Sequence, residues 1–400
     1  MRFLDTFTEQ EQIDLINIKT GYQTRSFRYE LLDKNDNVKK TLTNVSNTEN
    51  SIEFNSFLEV KRLGNMVLYG DDPDIDFIND RIKPYVTLGN GDIEIEYPLG
   101  IYLLSSPSIN HVRGTSYKTG GLLPSQTLLP SQTLLPSSVG VTVVDSEKRY
   151  DITVYSKLQI LTEDKVSEHI TFLEGDNYIE EIITLIGGTG IVKINIPGSL
   201  DTFNRDVDFD IGTSKLTIVN ALLSQVGYTS LYTDNNGYVS SVKYIPTNKR
   251  VSQYLYAIGE ESIIYNGLNE ELDLFNVANR VIRVLSNPEQ LPLISIKENN
   301  SPDNALSIVN RGRVIADYAE VNDAANQEAL DLLTESALED AGKVYGYIKF
   351  QTSINPMHEF LETLKVNYSG IDYDFTETSW RLGLNVNSRM THECRRLLNV

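Results

Sequence analysis

The segment from Arg81 to Leu104 constrains the fold of this chain more than any other, because it encodes two strands joined by a tight turn. In the second strand, Ile93, Ile95 and Tyr97 alternate with two glutamates. Side chains of a strand point alternately to its two faces, so this spacing predicts a half-buried strand. The preceding residues 89–92, Gly-Asn-Gly-Asp, are typical of a hairpin turn, since Gly and Asn accept positive φ at little cost. We therefore predict a β-hairpin that leads into a further apolar strand.

Composition indicates a folded chain of more than one domain. The 400 residues are 40% hydrophobic and 22% charged, and a single core rarely organises so long a chain. The chain has 35 basic and 55 acidic residues, so its net charge is −20, which disfavours ordinary binding of nucleic acid. Two uses of this charge stay open: solubility, or the acidic wall of a channel through which DNA passes without specific binding.

Cysteine usage and the terminal sequence point to synthesis in a reducing cytoplasm. Cys394 is the single cysteine, so an internal disulfide is excluded. The first 20 residues lack the apolar core of a signal peptide, and no run approaches the roughly 18 apolar residues of a membrane-spanning helix. We expect no membrane insertion by this chain.

Strand and turn signals divide the chain into three predicted domains. Residues 1–157 are mostly strand, with a loop insertion at 108–140, and residues 158–250 alternate between helix and strand signals. Residues 251–400 return to strands and carry one packed helix at 324–341. The predicted fold class is therefore α+β, mainly β.

The spacing of the apolar residues, together with the turn residues between segments, predicts the individual strands and helices. The predicted strands cover residues 27–32, 51–63, 66–69, 81–88, 92–97, 141–144, 150–155, 253–258, 281–285, 344–352, 362–368 and 380–386. One helix is predicted behind Asp176, with Ile179, Ile182, Ile183 and Ile186 on one stripe. A second is predicted after Thr213 or Ser214, with Leu216, Val219, Leu223 and Val226 on one stripe.

The predicted loop insertion contains a hexapeptide repeat, Leu-Leu-Pro-Ser-Gln-Thr. Copies begin at Leu122 and Leu128, and a partial copy begins at Leu134. A proline every six residues forbids helix and blocks sheet pairing, so the repeat predicts an extended or turn-rich loop. The leucines either pack on a neighbouring subunit or record a recent tandem duplication in a loop.

No local pattern predicts a catalytic or metal centre. The histidines, His111, His169, His358 and His392, lack ligand spacing. Cys394 lies two positions from His392, and on a helix that separation points the two side chains to different faces. Paired carboxylates for glycoside hydrolysis stay open, because 55 acidic residues offer many pairs.

Two further motifs fail on spacing. The acidic run at 206–210 lacks the sixth-position glycine and the twelfth-position glutamate of a calcium loop, and it predicts a strand edge instead. The glycines at 187–190 lack the Lys-Ser/Thr of a phosphate loop and predict the end of a helix.

The helix predicted at 324–341 has an acidic and an apolar face. The acidic face consists of Glu328, Asp331, Glu335 and Glu339, at spacings of three and four. The apolar face, predicted to be buried, consists of Leu330, Leu333, Ala337, Leu338 and Ala341. The acidic face is either solvated or the wall of a lumen or of a site for a basic partner.

Three groups of residues, in this order, resemble the phage tail baseplate hub family, also called tail-tip hub proteins, of Gram-positive phages or phage-tail-like contractile particles. They are Arg81–Pro107; Arg149–Lys165 with Tyr228–Tyr244; and Ile348–Thr352 with Asn355–His358 and Thr378–Leu382. The order and spacing of these motifs carry the resemblance.

The resemblance implies a homotrimer in the virion tail, assembled in the host cytoplasm. It implies two tube-like β-barrel domains per chain, with a small α/β domain between them, that form a ring joining a hexameric tail tube to a trimeric spike. The implied partners are the tail tube protein, a spike or tail-tip protein, the tape measure protein and baseplate wedge proteins. No cofactor, metal or catalytic residue is expected.

The predicted inter-subunit or lumen residues come from the hairpin, the repeat and the acidic helix. They are Ile93, Ile95, Tyr97, Leu122, Leu128, Leu134, Glu328, Asp331, Glu335 and Glu339. The repeat is not a general feature of the family. We expect no room after Trp380 for the enzymatic region that some relatives carry.

Two alternative functions stay open. A tail-associated cell-wall hydrolase is favoured only by the richness in acidic residues and by the resemblance to tail proteins. A receptor-binding tail protein is favoured by the tyrosine-rich strands and the repeat.

Overall fold

The chain folds into two compact units in a computed structural model. The structure describes residues 4, 6–17, 23–70, 72, 74–117, 141–245, 249–252, 254–257, 263–272, 275–285, 292–321, 327–341, 344–368 and 371–398. Unit 1 comprises Met1–Pro246, Ser353–Phe360 and Arg381–Met390, and unit 2 comprises Thr247–Thr352, Leu361–Trp380 and Thr391–Val400. Residues 1–246, nearly all of the first two predicted domains, thus lie together in unit 1.

Unit 1 begins with a short helix and a large antiparallel sheet. The elements are α1 (Glu9–Ile16), β1 (Thr24–Leu32), β2 (Val38–Leu42), β3 (Ser51–Asn55), β4 (Arg62–Tyr69), β5 (Arg81–Gly89), β6 (Glu94–Pro98), β7 (Tyr102–Leu104), β8 (Ser108–Tyr117) and β9 (Val141–Ser156). The strand order is β3-β4-β9-β7-β5-β1-β2, with β6 paired to β5 and β8 paired to β9. Each of these pairs is antiparallel.

The predicted hairpin is confirmed. Strand β5 pairs with β6 from Tyr85↔Pro98 to Gly89↔Glu94. In the turn between them, the Asn90 side-chain oxygen accepts hydrogen bonds from the backbone amides of Asp92 and Ile93, at 3.1 and 2.9 Å. Gly91 adopts a φ of 94°, a conformation that glycine tolerates best.

Strand β5 is central although it contains a proline. Pro84 lies opposite Tyr29 of β1, and on its other side β6 pairs only as far as Tyr85 while β7 begins at Ile82. The Pro84 carbonyl points into this gap, where it accepts from the backbone amide of Leu99 at 3.0 Å. The amide that proline lacks would point into the same gap, so the ladder to β1 is unbroken.

The first ten residues of the predicted loop insertion form a strand instead. Residues 108–117 form β8, which pairs with β9 from Ser108↔Asp151 to Tyr117↔Val141. The two strands predicted at 141–144 and 150–155 are one continuous strand, β9, which pairs with β8 on both sides of a register shift and with β4 and β7 toward its end. The hexapeptide repeat, with Leu122, Leu128 and Leu134, lies outside the described residues.

The remainder of unit 1 includes a small α/β part. Its elements are α2 (Leu158–Glu163), β10 (Ile170–Phe172), α3 (Tyr178–Gly187), β11 (Ile194–Asn195), β12 (Val207–Phe209), α4 (Lys215–Gln225), β13 (Tyr232–Thr233) and β14 (Val239–Ser240). Helices α2, α3 and α4 enclose its apolar core. Both predicted helices are confirmed, and so is the strand in the acidic run, which is β12.

Helix α3 differs from the prediction in detail. Helix α3 is capped by Asn177, whose side chain accepts from the amides of Ile179 and Glu180, and not by Asp176. Ile182 is fully buried, whereas Ile183 is 38% exposed. The apolar stripe of α3 is therefore narrower than the sequence suggests.

Unit 2 is also mainly β. Its elements are β15 (Tyr254–Ala257), β16 (Ile264–Leu272), β17 (Arg280–Leu285), β18 (Leu293–Glu298), α5 (Ile308–Arg311), β19 (Ala316–Glu320), α6 (Gln327–Ala341), β20 (Val344–Thr352), β21 (Thr363–Tyr368), and most of β22 (Ile371–Gly383) and β23 (Met390–Leu398). One sheet has the order β16-β20-β23-β22, with β21 on β22 and β15 on β21. A second sheet, β18-β17-β19, is inserted between β16 and β20 together with α5 and α6.

The α+β, mainly β class is confirmed by these large antiparallel sheets. Within the described residues, the strand path of neither unit closes on itself. Two tube-like barrels therefore stay a prediction.

Unit 1 also buries a cation. The Lys61 side chain is 3% exposed, and its Nζ lies 5.8 Å from the centroid of the Phe360 ring. Burial lowers the pKa of Lys61 to about 8, since the charged ammonium loses its hydration. The protonated side chain therefore destabilises the folded unit.

We expect Ile182→Ala to lower the free energy of unfolding by about 2–5 kcal/mol, because the side chain fills the core among the helices. Ile183→Ala, one position away and partly exposed, is the matched control and should change it by less than about 1 kcal/mol. Denaturant unfolding measures both. Equal losses would show that α3 does not bury the Ile182 face.

We expect Lys61→Met to stabilise the chain at pH 7 by roughly 1–3 kcal/mol. The unfolded chain binds the proton more tightly, so wild-type stability rises with pH between about 8 and 10.5, and the advantage of the variant shrinks over that window. Denaturant unfolding at pH 7 and pH 10 checks this. Lys34→Met, at an exposed position, is the control, and a pH-independent advantage for Lys61→Met would contradict the assignment.

Candidate assembly surfaces

The sheet β18-β17-β19 of unit 2 exposes an apolar face. Ile282 of β17 lies opposite Ile296 of β18 and opposite Tyr318 of β19, and Val284 lies opposite Ile294. Directly opposed residues share one face of a sheet, so these five side chains form one patch, the apolar sheet face. Ile294, Ile296 and Tyr318 are 52%, 54% and 58% exposed.

Helix α6 covers the opposite face of this sheet. Val281 and Ser295 are buried there, and the Ser295 hydroxyl donates to Asp331 Oδ1 at 2.6 Å. Leu330 of α6 is fully buried. The apolar sheet face is thus the side that the helix leaves uncovered.

A polar rim borders the apolar sheet face. Arg280 and Glu298 are opposed in the register and joined by an ion pair at 2.5 Å. Glu320 accepts from the Tyr318 hydroxyl at 3.3 Å. An apolar centre with a charged rim is the usual anatomy of a protein interface, and contiguous exposed apolar surface marks interaction sites.

Only part of the acidic face predicted on α6 is exposed. Glu328 and Glu335 face outward, and Lys297 lies 3.8 Å from Glu335. Asp331 turns toward the sheet, where hydrogen bonds from Ser295 and Gln327 hold its pKa below the ordinary value. The side chain of Glu339 lies outside the described set.

The apolar stripe of α6 is also rotated from the prediction. Leu333, predicted to be buried, is exposed together with Leu332, while Thr334 is fully buried beside Leu330. The Thr334 hydroxyl satisfies itself by donating to the Leu330 carbonyl at 2.6 Å. The pattern of leucines did not predict that Thr334 is buried, because a threonine can be buried when its hydroxyl is hydrogen-bonded within its own helix.

The hairpin residues predicted as interface lie inside unit 1. Ile95 and Tyr97 are buried in its core, and Ile93 is half-buried. The glutamates at 94 and 96 occupy the outer face, where Glu96 pairs with Arg28 at 2.8 Å. Alternation correctly assigned the two faces, but the chain itself covers the apolar one, so we exclude Ile95 and Tyr97 from the candidate surfaces.

Two edge strands of the main sheets are protected in different ways. Strand β2, paired only with β1 among the described strands, carries Lys39 and Lys40, which form ion pairs with Asp80 and Asp72. Strand β16 has a bulge or irregularity between Tyr265 and Leu268, where its register to β20 shifts. Lysines and bulges are known devices against unwanted pairing of edges.

A histidine–glutamate pair and a thiol of unit 2 are buried. His392 Nδ1 lies 2.6 Å from Glu377 Oε1, and Nε2 lies 2.8 Å from the Thr352 hydroxyl, with both members of the His–Glu pair fully buried. Sequence inspection missed this pair, which adjacent strands bring together from 15 residues apart. Cys394 is 1% exposed, and burial raises the pKa of its thiol, which disfavours the reactive thiolate.

Across the part of the chain that the structure describes, no helix combines the length and apolar character required to span a membrane.

Comparisons with known proteins show which solved structures have a similar fold. Neither a family model nor a curated protein matches the sequence. The chain is similar to the solved structure of a tail protein from Neisseria meningitidis MC58, with a TM-score of 0.57 and 10% identity over 94% of this chain and 97% of that one. It is also similar to the 43 kDa tail protein of prophage MuSo2 from Shewanella oneidensis, with a TM-score of 0.54 and 10% identity over 93% and 98%.

A third similar structure is a chain of a Francisella PdpA–VgrG complex, with a TM-score of 0.53 and 10% identity over 96% of this chain and 60% of that one. At such identities the likeness concerns the fold. The chain therefore shares its fold with these two tail proteins.

We expect Ile296→Lys to weaken association of the chain with its own copies at least tenfold, because a charge would then have to be buried in the apolar sheet face. Unfolding free energy should change by less than about 1 kcal/mol, since the side chain is already exposed. Sedimentation over a range of concentrations measures the association.

Val309→Lys is the matched control, because Val309 is 62% exposed on α5 and outside the sheet. Equal association of Ile296→Lys and Val309→Lys would rule out the apolar sheet face as a self-association surface.

Proposed function

We propose that this chain is a structural baseplate hub of a phage tail or contractile injection particle. The observation that carries the proposal is the fold likeness to the Neisseria and Shewanella tail proteins over nearly the whole of each chain. Likeness over a single domain would be weaker support, because common domains recur in unrelated functions. Here the likeness covers 94% and 93% of this chain.

The hub would be a homotrimer whose two β-rich units per chain form tube-like barrel domains. Three copies of two units make six, so such a ring adapts a hexameric tail tube to a trimeric spike and encloses the central channel. The division of the chain into two units that each contain a large, mostly antiparallel sheet supports this proposal, since a ring of six similar parts built from three copies needs two β-rich units per chain.

The net charge of the chain supports a channel through which DNA passes without binding. The net charge of −20 repels phosphate, so DNA would pass the hub without specific binding. The proposed partners are the tail tube protein, the spike or tail-tip protein, the tape measure protein and baseplate wedge proteins. The proposed location is the virion tail, after assembly in the host cytoplasm.

A non-enzymatic role agrees with the placement of reactive groups. The thiol of Cys394 and the His392–Glu377 pair lie inside unit 2, where substrate would have no access to them. The apolar sheet face and its charged rim, by contrast, are exposed and suited to protein contact. The chain's function would therefore lie in its interfaces.

We expect the purified chain to form trimers, or rings when mixed with tail tube and spike subunits, visible by mass photometry and electron microscopy. Strictly monomeric protein at high concentration, with no trimer beside those subunits, would overturn the proposal. A zymogram on bacterial cell walls serves as the second arm. Clear lysis that a single carboxylate substitution abolishes would replace the hub by a wall hydrolase.

A further inference from the structure

Three cationic side chains of unit 1 converge on one carboxylate, Asp36. Arg81 Nη1 lies 2.5 Å from Oδ1, while Lys157 Nζ bonds to Oδ2 and Lys193 Nζ lies 3.5 Å from the same Oδ2. We call these four residues the Asp36 cluster. None of them belongs to the candidate assembly surfaces.

Four separate segments build the cluster. Asp36 lies in the turn between β1 and β2 at a φ of 67°, and its amide donates to the Asp33 carbonyl at 3.0 Å. Arg81 begins β5, Lys157 lies between β9 and α2, and Lys193 directly precedes β11. The cluster therefore ties the large sheet to the α/β part of unit 1.

Positive charge exceeds negative charge among the groups in contact. One carboxylate faces three cations, and two of these cations share a single oxygen of it. Lys83 adds a further cation, and burial together with the charge of Lys193 lowers its pKa. This excess is unusual in a chain whose net charge is −20.

The nearby carboxylates are already engaged. Asp33, which acts on Arg81 over a longer distance, accepts from the amides of Asn35 and Asn37 at 2.8 and 2.9 Å. Glu30, near Lys83, pairs with Arg28 at 2.5 Å. Neither neutralises the cluster directly.

Buried donors in the cluster also lack acceptors. Arg81 is 9% exposed, and its buried Nε has no hydrogen-bond partner among the described residues. The Lys157 ammonium has three donors and is 2% exposed, and its described hydrogen bond goes to Asp36. Buried donors and unbalanced buried charge are unfavourable unless an acceptor or an anion completes them.

We propose that the Asp36 cluster binds a small tetrahedral oxyanion, with phosphate as the type case. Arg81 Nε and the free donors of Lys157 would hold it from within, and Lys193, whose side chain is 34% exposed, would close the site toward solvent. A tetrahedral oxyanion offers several acceptor oxygens, which suits a guanidinium and two ammonium groups better than a single carboxylate does.

The bound anion would stabilise unit 1. It would offset the repulsion between Lys157 and Lys193, which lowers the pKa of Lys157 together with the larger effect of burial. Because the cluster joins the large sheet to the α/β part, occupancy would strengthen that junction. This role is independent of the proposed hub function.

The test is thermal unfolding of the full chain, with calorimetric titration, in inorganic phosphate against chloride at equal ionic strength. We expect saturable stabilisation by phosphate, with acetate at least tenfold weaker. Lys193→Gln should bind phosphate at least tenfold more weakly, yet unfold without phosphate at the same or a higher temperature than wild type, because it removes one excess cation. A purely structural ion pair would give the opposite sign.

Lys40→Gln is the matched control, because Lys40 pairs with Asp72 and Asp74 and lies outside the cluster. It should leave phosphate affinity unchanged. Arg81→Lys, which keeps the charge and removes the Nε donor, should also weaken phosphate binding.

Three results would overturn the proposal. They are no saturable effect of phosphate beyond chloride, equal phosphate affinities of Lys193→Gln and Lys40→Gln, and binding of a single-stranded oligonucleotide without binding of inorganic phosphate. The last result would identify a surface for polymeric phosphate and not an ion site.

Discussion

Pairing along β5 is the constraint on which unit 1 depends. This strand is held by β1 over nine residues on one side and by β6 and β7 in succession on the other. Its apolar residues, including Val86 and Leu88, are fully buried, so a shift of register by one residue would turn them to the outer face. Pro84 fits only because it lies at the gap between β6 and β7. The same strand places Arg81 at its start, where the Asp36 cluster forms.

Unit 1 buries several charged side chains, which an apolar core usually excludes. Lys61, Arg62, Arg81 and Lys157 are all buried there. Arg62 donates to the Asn235 side chain at 2.7 Å, and Arg81 and Lys157 share Asp36. Such groups are unfavourable in isolation, so their presence is better explained by specificity of the junctions they form, or by a ligand, than by stability. Unit 2 contains the contrasting case, apolar side chains left exposed on a sheet.

These two departures from ordinary burial locate function better than the search for catalytic motifs does. The apolar sheet face has a polar rim and is not covered by α6, an arrangement that is typical of protein–protein interfaces. The Asp36 cluster has cations and donors without matching acceptors. The apolar sheet face agrees with the proposed role in assembly, whereas the Asp36 cluster is an independent feature, and neither requires substrate turnover.

The sequence by itself determined the local elements. Alternation and the Asn-Gly turn specified the β5–β6 hairpin, helical spacing specified α3 and α4, and the whole of β20 was predicted. These succeed because period and turn chemistry are properties of a few neighbouring residues. The sequence also separated the outward glutamates of β6 from the inward Ile95 and Tyr97.

Only the tertiary structure decided which face is covered and by what. Ile95 and Tyr97 form the same pattern as Ile294 and Ile296, two apolar residues separated by one polar residue. The first pair nevertheless lies in a core and the second on a surface. Leu333 is exposed and Thr334 is buried, the reverse of what their polarity predicts, and β8 pairs with β9 within the predicted loop insertion. The Asp36 cluster and the His392–Glu377 pair join residues far apart in the chain, and contacts between distant residues leave no local pattern to read.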